Sequence, residues 1–208
     1  MRAECPRCGG EVAEEPDSWA CALHGVVVPL WRPRESSYEV FAHHLARAGD
    51  FPTYLPWPLG SDWRVTDFAV MAEGGRVRAS VTACAGTSLL DGPVELLVVA
   101  EEAGAGLGSR VAGTVHDDPG AEVADHPPVV RVRIGHQTVP MWSVSTSAAP
   151  GEWDRSVVVG EAFGRWLWLV VRPASAMLLL RDDWILRDVS AAGPHLVELP
   201  FGGPPPAW

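Results

Sequence analysis

Apolar and polar positions alternate along much of this chain, and elsewhere the apolar residues come in short runs. Between residues 76 and 84, Val77, Ala79, Val81 and Ala83 fall on one parity and Arg78, Ser80 and Thr82 on the other. A period of two is the signature of a strand. Residues 63–71 read as its hairpin partner, joined at Glu73-Gly74-Gly75. Asp91 and Gly92 then turn the chain into a continuous apolar run over 94–100, which reads as a buried strand. Further short strands are expected over 129–134, 138–145, 156–159, 166–171, 176–180 and 184–187, with turn residues between most of them. One stretch has helical spacing. Val40, Phe41 and Leu45 form a stripe over 38–48, with Ser37 placed to cap it and Gly49 to stop it. Strand following strand with few helices and no βαβ alternation predicts an α+β fold with a mainly antiparallel sheet.

The segment 51–60 carries three prolines among aromatic residues. It is barred from helix and is expected to run extended, as a rigid strap across the core. His43 and His44 sit on the predicted helix and are expected at the surface, since no partner ligand stands at i+4. Trp166 and Trp168 share a strand face, and with Trp142, Trp153 and Trp184 they are expected to fill the core. Cys84 falls at a strand end with no base in view, which reads as inert packing. His116, Asp117, Asp118, Asp125 and His126 lie in a polar loop over 116–128, read as solvated. Residues 201–208 are expected to be flexible or to lie on the surface.

Composition narrows the function classes. The 208-residue chain has room for one ordinary domain and a small extra one, and 47% of its residues are apolar. It has no Lys and no Asn, and all 16 basic residues are Arg. Lysine-dependent sites such as a Schiff base or a P-loop are therefore excluded. Net charge is −10, and residues 1–34 and 35–208 are both acidic, so neither offers the basic stripe that a phosphate backbone requires. Nucleic acid is thus an unfavoured partner, and a protein partner is expected instead. No charged-then-apolar leader opens the sequence. The run 166–180 is broken by Arg172-Pro173 and falls short of the ~20 residues that span a bilayer. The expectation is a cytoplasmic protein with no membrane contact.

The strongest chemical signal is Cys5-Pro6-Arg7-Cys8-Gly9-Gly10, answered by Cys21-Ala22-Leu23-His24-Gly25. The spacing is C-x2-C-x12-C-x2-H. Pro6 pre-sets a turn, and the glycines let amides point back at the sulfurs. Three thiolates and one imidazole from Cys5, Cys8, Cys21 and His24 make a closed tetrahedral set for a structural Zn2+. A redox pair would want a βαβ setting, and disulfides are out of place in a cytosolic chain. Val12 and Trp19 are placed to cover the site. The expected unit is an N-terminal zinc ribbon over 1–31, too small to fold without its metal. Arg2 and Arg7 are close enough in sequence to offset the negative charge of the site.

A weaker signal follows the run 94–100. Glu101-Glu102-Ala103-Gly104-Ala105-Gly106-Leu107-Gly108-Ser109-Arg110 is a Gly-rich turn after an apolar strand. It resembles locally the coenzyme-A loop of the GNAT-type acetyltransferases, which implies that amides around Gly104, Gly106 and Gly108 cradle a pyrophosphate. It departs from that pattern at Ala103, and Glu101 and Glu102 would repel a phosphate.

Taken together, CPRCGG at 5–10, WPLGSDWRVTDFA at 57–69, ELLVVAEE with GAGLGSR at 95–110, and GEAFGRWLW with AMLLLRDD at 160–183 resemble an uncharacterised family of actinobacterial proteins. That resemblance implies a zinc-ribbon start and carries no catalytic residue. The expected organisation is a zinc ribbon at 1–31, a linker and helix at 32–50, a β-rich domain at 51–200 and a tail at 201–208. The expected function is regulatory or protein-binding and not enzymatic. An acyl-coenzyme-A-dependent transferase using Gly104–Arg110 and a nucleic-acid-associated ribbon protein are the alternatives.

Overall fold

The computed structural model describes residues 1–114, 118–146, 154–181 and 184–208. His116, Asp117 and Trp153, singled out above, lie outside them. The strands are β1 (Arg2–Glu4), β2 (Val12–Glu15), β3 (Ser18–Cys21), β4 (Gly25–Val26), β5 (Leu30–Arg32), β6 (Tyr54–Pro56), β7 (Arg64–Glu73), β8 (Arg76–Ser88), β9 (Gly92–Glu101), β10 (Val130–Ile134), β11 (Gln137–Ser143), β12 (Ser156–Ala162), β13 (Arg165–Arg172) and β14 (Ile185–Asp188). The α-helices are α1 (Tyr38–Ala48) and α2 (Leu107–Ala112).

Eleven strands form one sheet in the order β1-β5-β7-β8-β9-β13-β12-β11-β10-β14-β6, and β2-β3-β4 form a small second sheet. This corrects the expected fold class. The protein is β-rich with a large mixed sheet, because β14 joins β10 in parallel while its other neighbour β6 is antiparallel. Nor does the N-terminal segment stand as a ribbon of its own. β1 pairs with β5, and β5 pairs with β7, so the chain enters the main sheet within its first residues. Motif spacing reports which side chains meet, but not where the strands between them find their hydrogen bonds.

The hairpin over residues 64–88 forms around Gly74 and Gly75, both at positive φ, as its glycines require. Both faces of the sheet are covered. Val94, Leu96, Val98 and Ala100 of β9 pack with Leu167, Leu169 and Val171 on one face. Leu97 and Val99 pack with Trp168, Leu107 and Val111 on the other. The polar parity of β8 is buried too. The hydroxyls of Ser80 and Thr82 donate to the carbonyls of Pro52 and Tyr54, at 2.5 and 2.6 Å. The 51–60 strap therefore lies across β8 and supplies β6, which curls the end of the sheet order back over its middle.

Helix α1 has the expected cap, with Ser37 Oγ accepting the Val40 N–H, and it stops at Gly49. His43 is exposed, but His44 is fully buried, which corrects the surface reading. Its ring stacks on Phe41 at 5.6 Å and meets Phe68 edge-on at 5.2 Å. The run expected as a strand over 176–180 is a 3-10 segment, Ala174–Arg181. Ala176 and Leu180, one helical turn apart, are its buried residues. Of the tryptophans expected in the core, Trp168 is fully buried, while Trp142, Trp166 and Trp184 are half-buried. Cys84 lies in the core, and burial pushes its thiol well up, which matches an inert role.

Candidate metal centre

Two tight turns bring the cysteines and the histidine together. In the first, Cys5 N–H donates to the Gly10 carbonyl at 2.7 Å and Gly9 N–H to the Cys5 carbonyl at 2.9 Å. Gly9 and Gly25, one after each pair of ligands, sit in the left-handed region at φ 71° and 66°. The amides of Arg7 and Cys8 point at the Cys5 sulfur, and those of Leu23 and His24 at the Cys21 sulfur. Each turn therefore aims backbone dipoles at a sulfur, which favours thiolate.

The outcome for the two sulfurs differs. Burial pushes the Cys5 thiol up against its amide partners. The Leu23 amide and then the His24 ring pull Cys21 down to about 6.

The ligand atoms of Cys5, Cys8, Cys21 and His24 all lie within 4.8 Å of one another. Metal–sulfur bonds of about 2.3 Å and a metal–nitrogen bond of about 2.0–2.1 Å give tetrahedral edges of ~3.8 Å between sulfurs and ~3.6 Å between sulfur and nitrogen. The Cys8 and Cys21 sulfurs are 3.8 Å apart, and His24 Nδ1 lies 3.5 Å from Cys5 Sγ and 3.6 Å from Cys21 Sγ. All four cysteines are free thiols, and a disulfide needs about 2.05 Å. The donor set and these three edges fit a divalent ion of the zinc type.

The cluster is tied to the rest of the protein by a residue that the sequence did not single out for it. Arg110 Nη1 donates to the carbonyls of Cys5 and Pro6, both at 3.1 Å, and Nη2 to the Trp208 carbonyl at 3.3 Å. Its guanidinium stands 4.8 Å from the Trp208 ring, and Arg32 stands 4.1 Å from the same ring. Trp208 Nε1–H and Arg32 both donate to the buried carboxylate of Asp67. Arg110 thus brings positive charge to the first turn. Arg2 is paired with Glu4 at 2.6 Å.

In the Gly-rich loop that carries Arg110, the amides of Gly104, Leu107 and Gly108 are occupied. Leu107 and Gly108 N–H donate to Glu101 Oε2 at 2.8 and 3.0 Å, and Trp168 Nε1–H donates to Glu101 Oε1 at 2.7 Å. Gly104 N–H donates to Asp118. Each glycine has a local reason. Gly104 and Gly106 are at φ 73° and 74°, and a Cβ on Gly108 would collide with the Trp168 ring.

Burial raises the Glu101 carboxyl to about 7 against three donors. Glu101→Gln keeps the shape but sets an NH2 against N–H donors on one side. The expected loss is about 2–3 kcal/mol, read by urea unfolding. A loss under about 0.5 kcal/mol would show that these bonds do not hold the loop.

The model of one family, described as "Family of unknown function (DUF6758)", matches residues 1–208. No curated protein and no solved structure matches the chain.

Proposed function

This chain belongs to the DUF6758 family, whose description names no activity, and we propose that it is a cytoplasmic, non-enzymatic protein that acts through a protein partner and carries one structural zinc ion. The observation behind this reading is the gathering of Cys5, Cys8, Cys21 and His24, with three of their ligand separations at tetrahedral values. Zinc in such a set has no open position, so it contributes folding free energy and no activated water.

The second turn of the site also supports the reading. Between the ligands Cys21 and His24, Leu23 is 80% exposed, and Val26 on β4 is 72% exposed. Holding both ligands of this turn on one ion would fix the backbone that displays these two apolar side chains. Net charge −10 disfavours nucleic acid as the partner. Among the described residues, no helix is long and apolar enough to cross a membrane.

Leu23→Asp with Val26→Asp is expected to leave zinc content and melting temperature unchanged and to abolish partner capture. The measurement is quantitative affinity capture from the native cytosol, with wild type and Cys8→Ser as parallel baits. The reading requires a set of proteins held by wild type and lost by both variants. Identical sets from all three baits would overturn it.

A further inference from the structure

A cavity of about 550 Å3 opens where β6 and β14 end the strand order. That volume lies within the ~300–1,000 Å3 range of small-molecule sites. The turns between β10 and β11 and between β12 and β13 line it, and Cys5, Cys8, Cys21 and His24 are not among its lining residues. Three of its aromatic residues are Tyr54, Trp57 and Phe163, and two of its cations are Arg165 and Arg187.

Both guanidinium groups are already stacked. Arg187 stands 4.5 Å from the centroid of Trp57, and Arg165 stands 4.7 Å from that of Phe51. A stacked guanidinium keeps its N–H edge free for a planar, bidentate acceptor. Among the described residues neither arginine forms an ion pair, although Asp50 and Asp188 line the same cavity. Asp188 Oδ1 is taken by the N–H groups of Thr53 and Ser190. Arg165 Nε is buried with no partner, and its Nη1 reaches only the Phe163 carbonyl, at 3.4 Å. Arg165 and Arg187 thus bring two guanidinium charges without ion-pair partners to the cavity wall, which favours an anionic oxygen there.

Phe163 supplies a second, independent observation. It holds φ at 52° and is 52% exposed at the β12–β13 turn. Glycine, asparagine and aspartate fill that left-handed position with less strain. A strained, half-exposed aromatic ring at the wall of a cavity marks a surface kept for contact. Burial and Asp188 push the Tyr54 phenol up to about 12, so it stays a hydrogen-bond donor.

We propose that this cavity binds a small aromatic carboxylate, its oxygens received by Arg165 and Arg187 and its ring lying against Trp57 and Phe163. The test is a titration of the full-length, zinc-loaded protein with 2-naphthoate, 2-naphthyl phosphate and the neutral 2-naphthalenemethanol. Tryptophan fluorescence and amide chemical shifts report binding. The expected result is saturable binding of 2-naphthoate, with shifts at 50–57, 134–136, 163–165 and 185–188, at least about tenfold tighter than the alcohol. Arg165→Gln and Arg187→Gln should each weaken it about tenfold with the melting temperature unchanged, and Phe163→Gly should weaken it in a fold relieved of strain. Equal affinity for acid and alcohol, preference for the phosphate, shifts elsewhere, no saturation by about 10 mM, or Arg variants with native affinity would each overturn the proposal.

Discussion

Cys21→Ser protein is expected to lose its metal and, with it, the order of β2, β3 and β4. Serine offers no thiolate, and Cys21 lies at the centre of the site, near both Cys8 and His24. The apolar cluster around the site consists of Cys5, Cys21 and Val27 with Val12 against it, far too little to hold a lobe. Structural zinc supplies an apparent ~10–16 kcal/mol in small modules, comparable with the ~5–15 kcal/mol that holds a whole protein together. The main sheet has its own cores and should persist. The loosening should nonetheless travel past the lobe, because Arg110 grips the carbonyls of Cys5, Pro6 and Trp208. Hydrogen exchange is the measurement. Protection should vanish over 5–27 and fall over 107–112 while β8, β9 and β13 keep theirs. Native protection over 5–27 in the metal-free variant would refute the dependence.

Acid should unfold this protein through His44. The ring is fully buried, and burial alone holds its pKa at about 3 against an ordinary 6.5. The folded state therefore keeps His44 neutral where the unfolded chain protonates it. Stability from this group is complete above pH 6.5 and is lost as pH falls through 3, on the order of 4–5 kcal/mol in all. Glu101 acts with the opposite sign. Its folded pKa of about 7 lies above the ordinary 4.5, so its contribution is present below pH 4.5 and lost as pH rises through 7. The two effects oppose each other between pH 4.5 and 6.5, and below that window only the His44 effect of the two still changes with pH.

His44→Phe keeps an aromatic ring beside Phe41 and Phe68 and gives up a single 3.3 Å contact with the Thr53 hydroxyl. Urea unfolding from pH 3 to 8 should show the acid limb flattened in this variant. Parallel stability curves for variant and wild type would remove His44 as the cause.

What the sequence showed and what it hid divide along chain separation. The α1 cap and stop, the 64–88 hairpin and the two metal turns are set by neighbouring residues, and period and spacing reveal them. His44 was legible in principle. It stands at i+3 from Phe41 and one before Leu45, within the same buried stripe. The missing ligand at i+4 argues against a metal site but not against burial, and His is intermediate in burial. The 176–180 run has no alternation, and Pro173 ends β13 just before it, so burial of Ala176 and Leu180 decides for a helical turn.

Long-range partnerships leave no local trace. Arg110 meets the first metal turn across more than a hundred residues, and the parallel β10–β14 pair closes across a long connection. The Gly-rich loop shows the converse. Its glycines resemble a phosphate cradle, but in the fold they serve two left-handed turns and a close approach to Trp168, with Glu101 on the amides.

The metal content of the full-length protein, expressed and purified without chelator, tests the central claim most directly. Elemental analysis should find about one equivalent of zinc per chain, as a closed Cys3His set requires. Less than about a tenth of an equivalent would contradict the account.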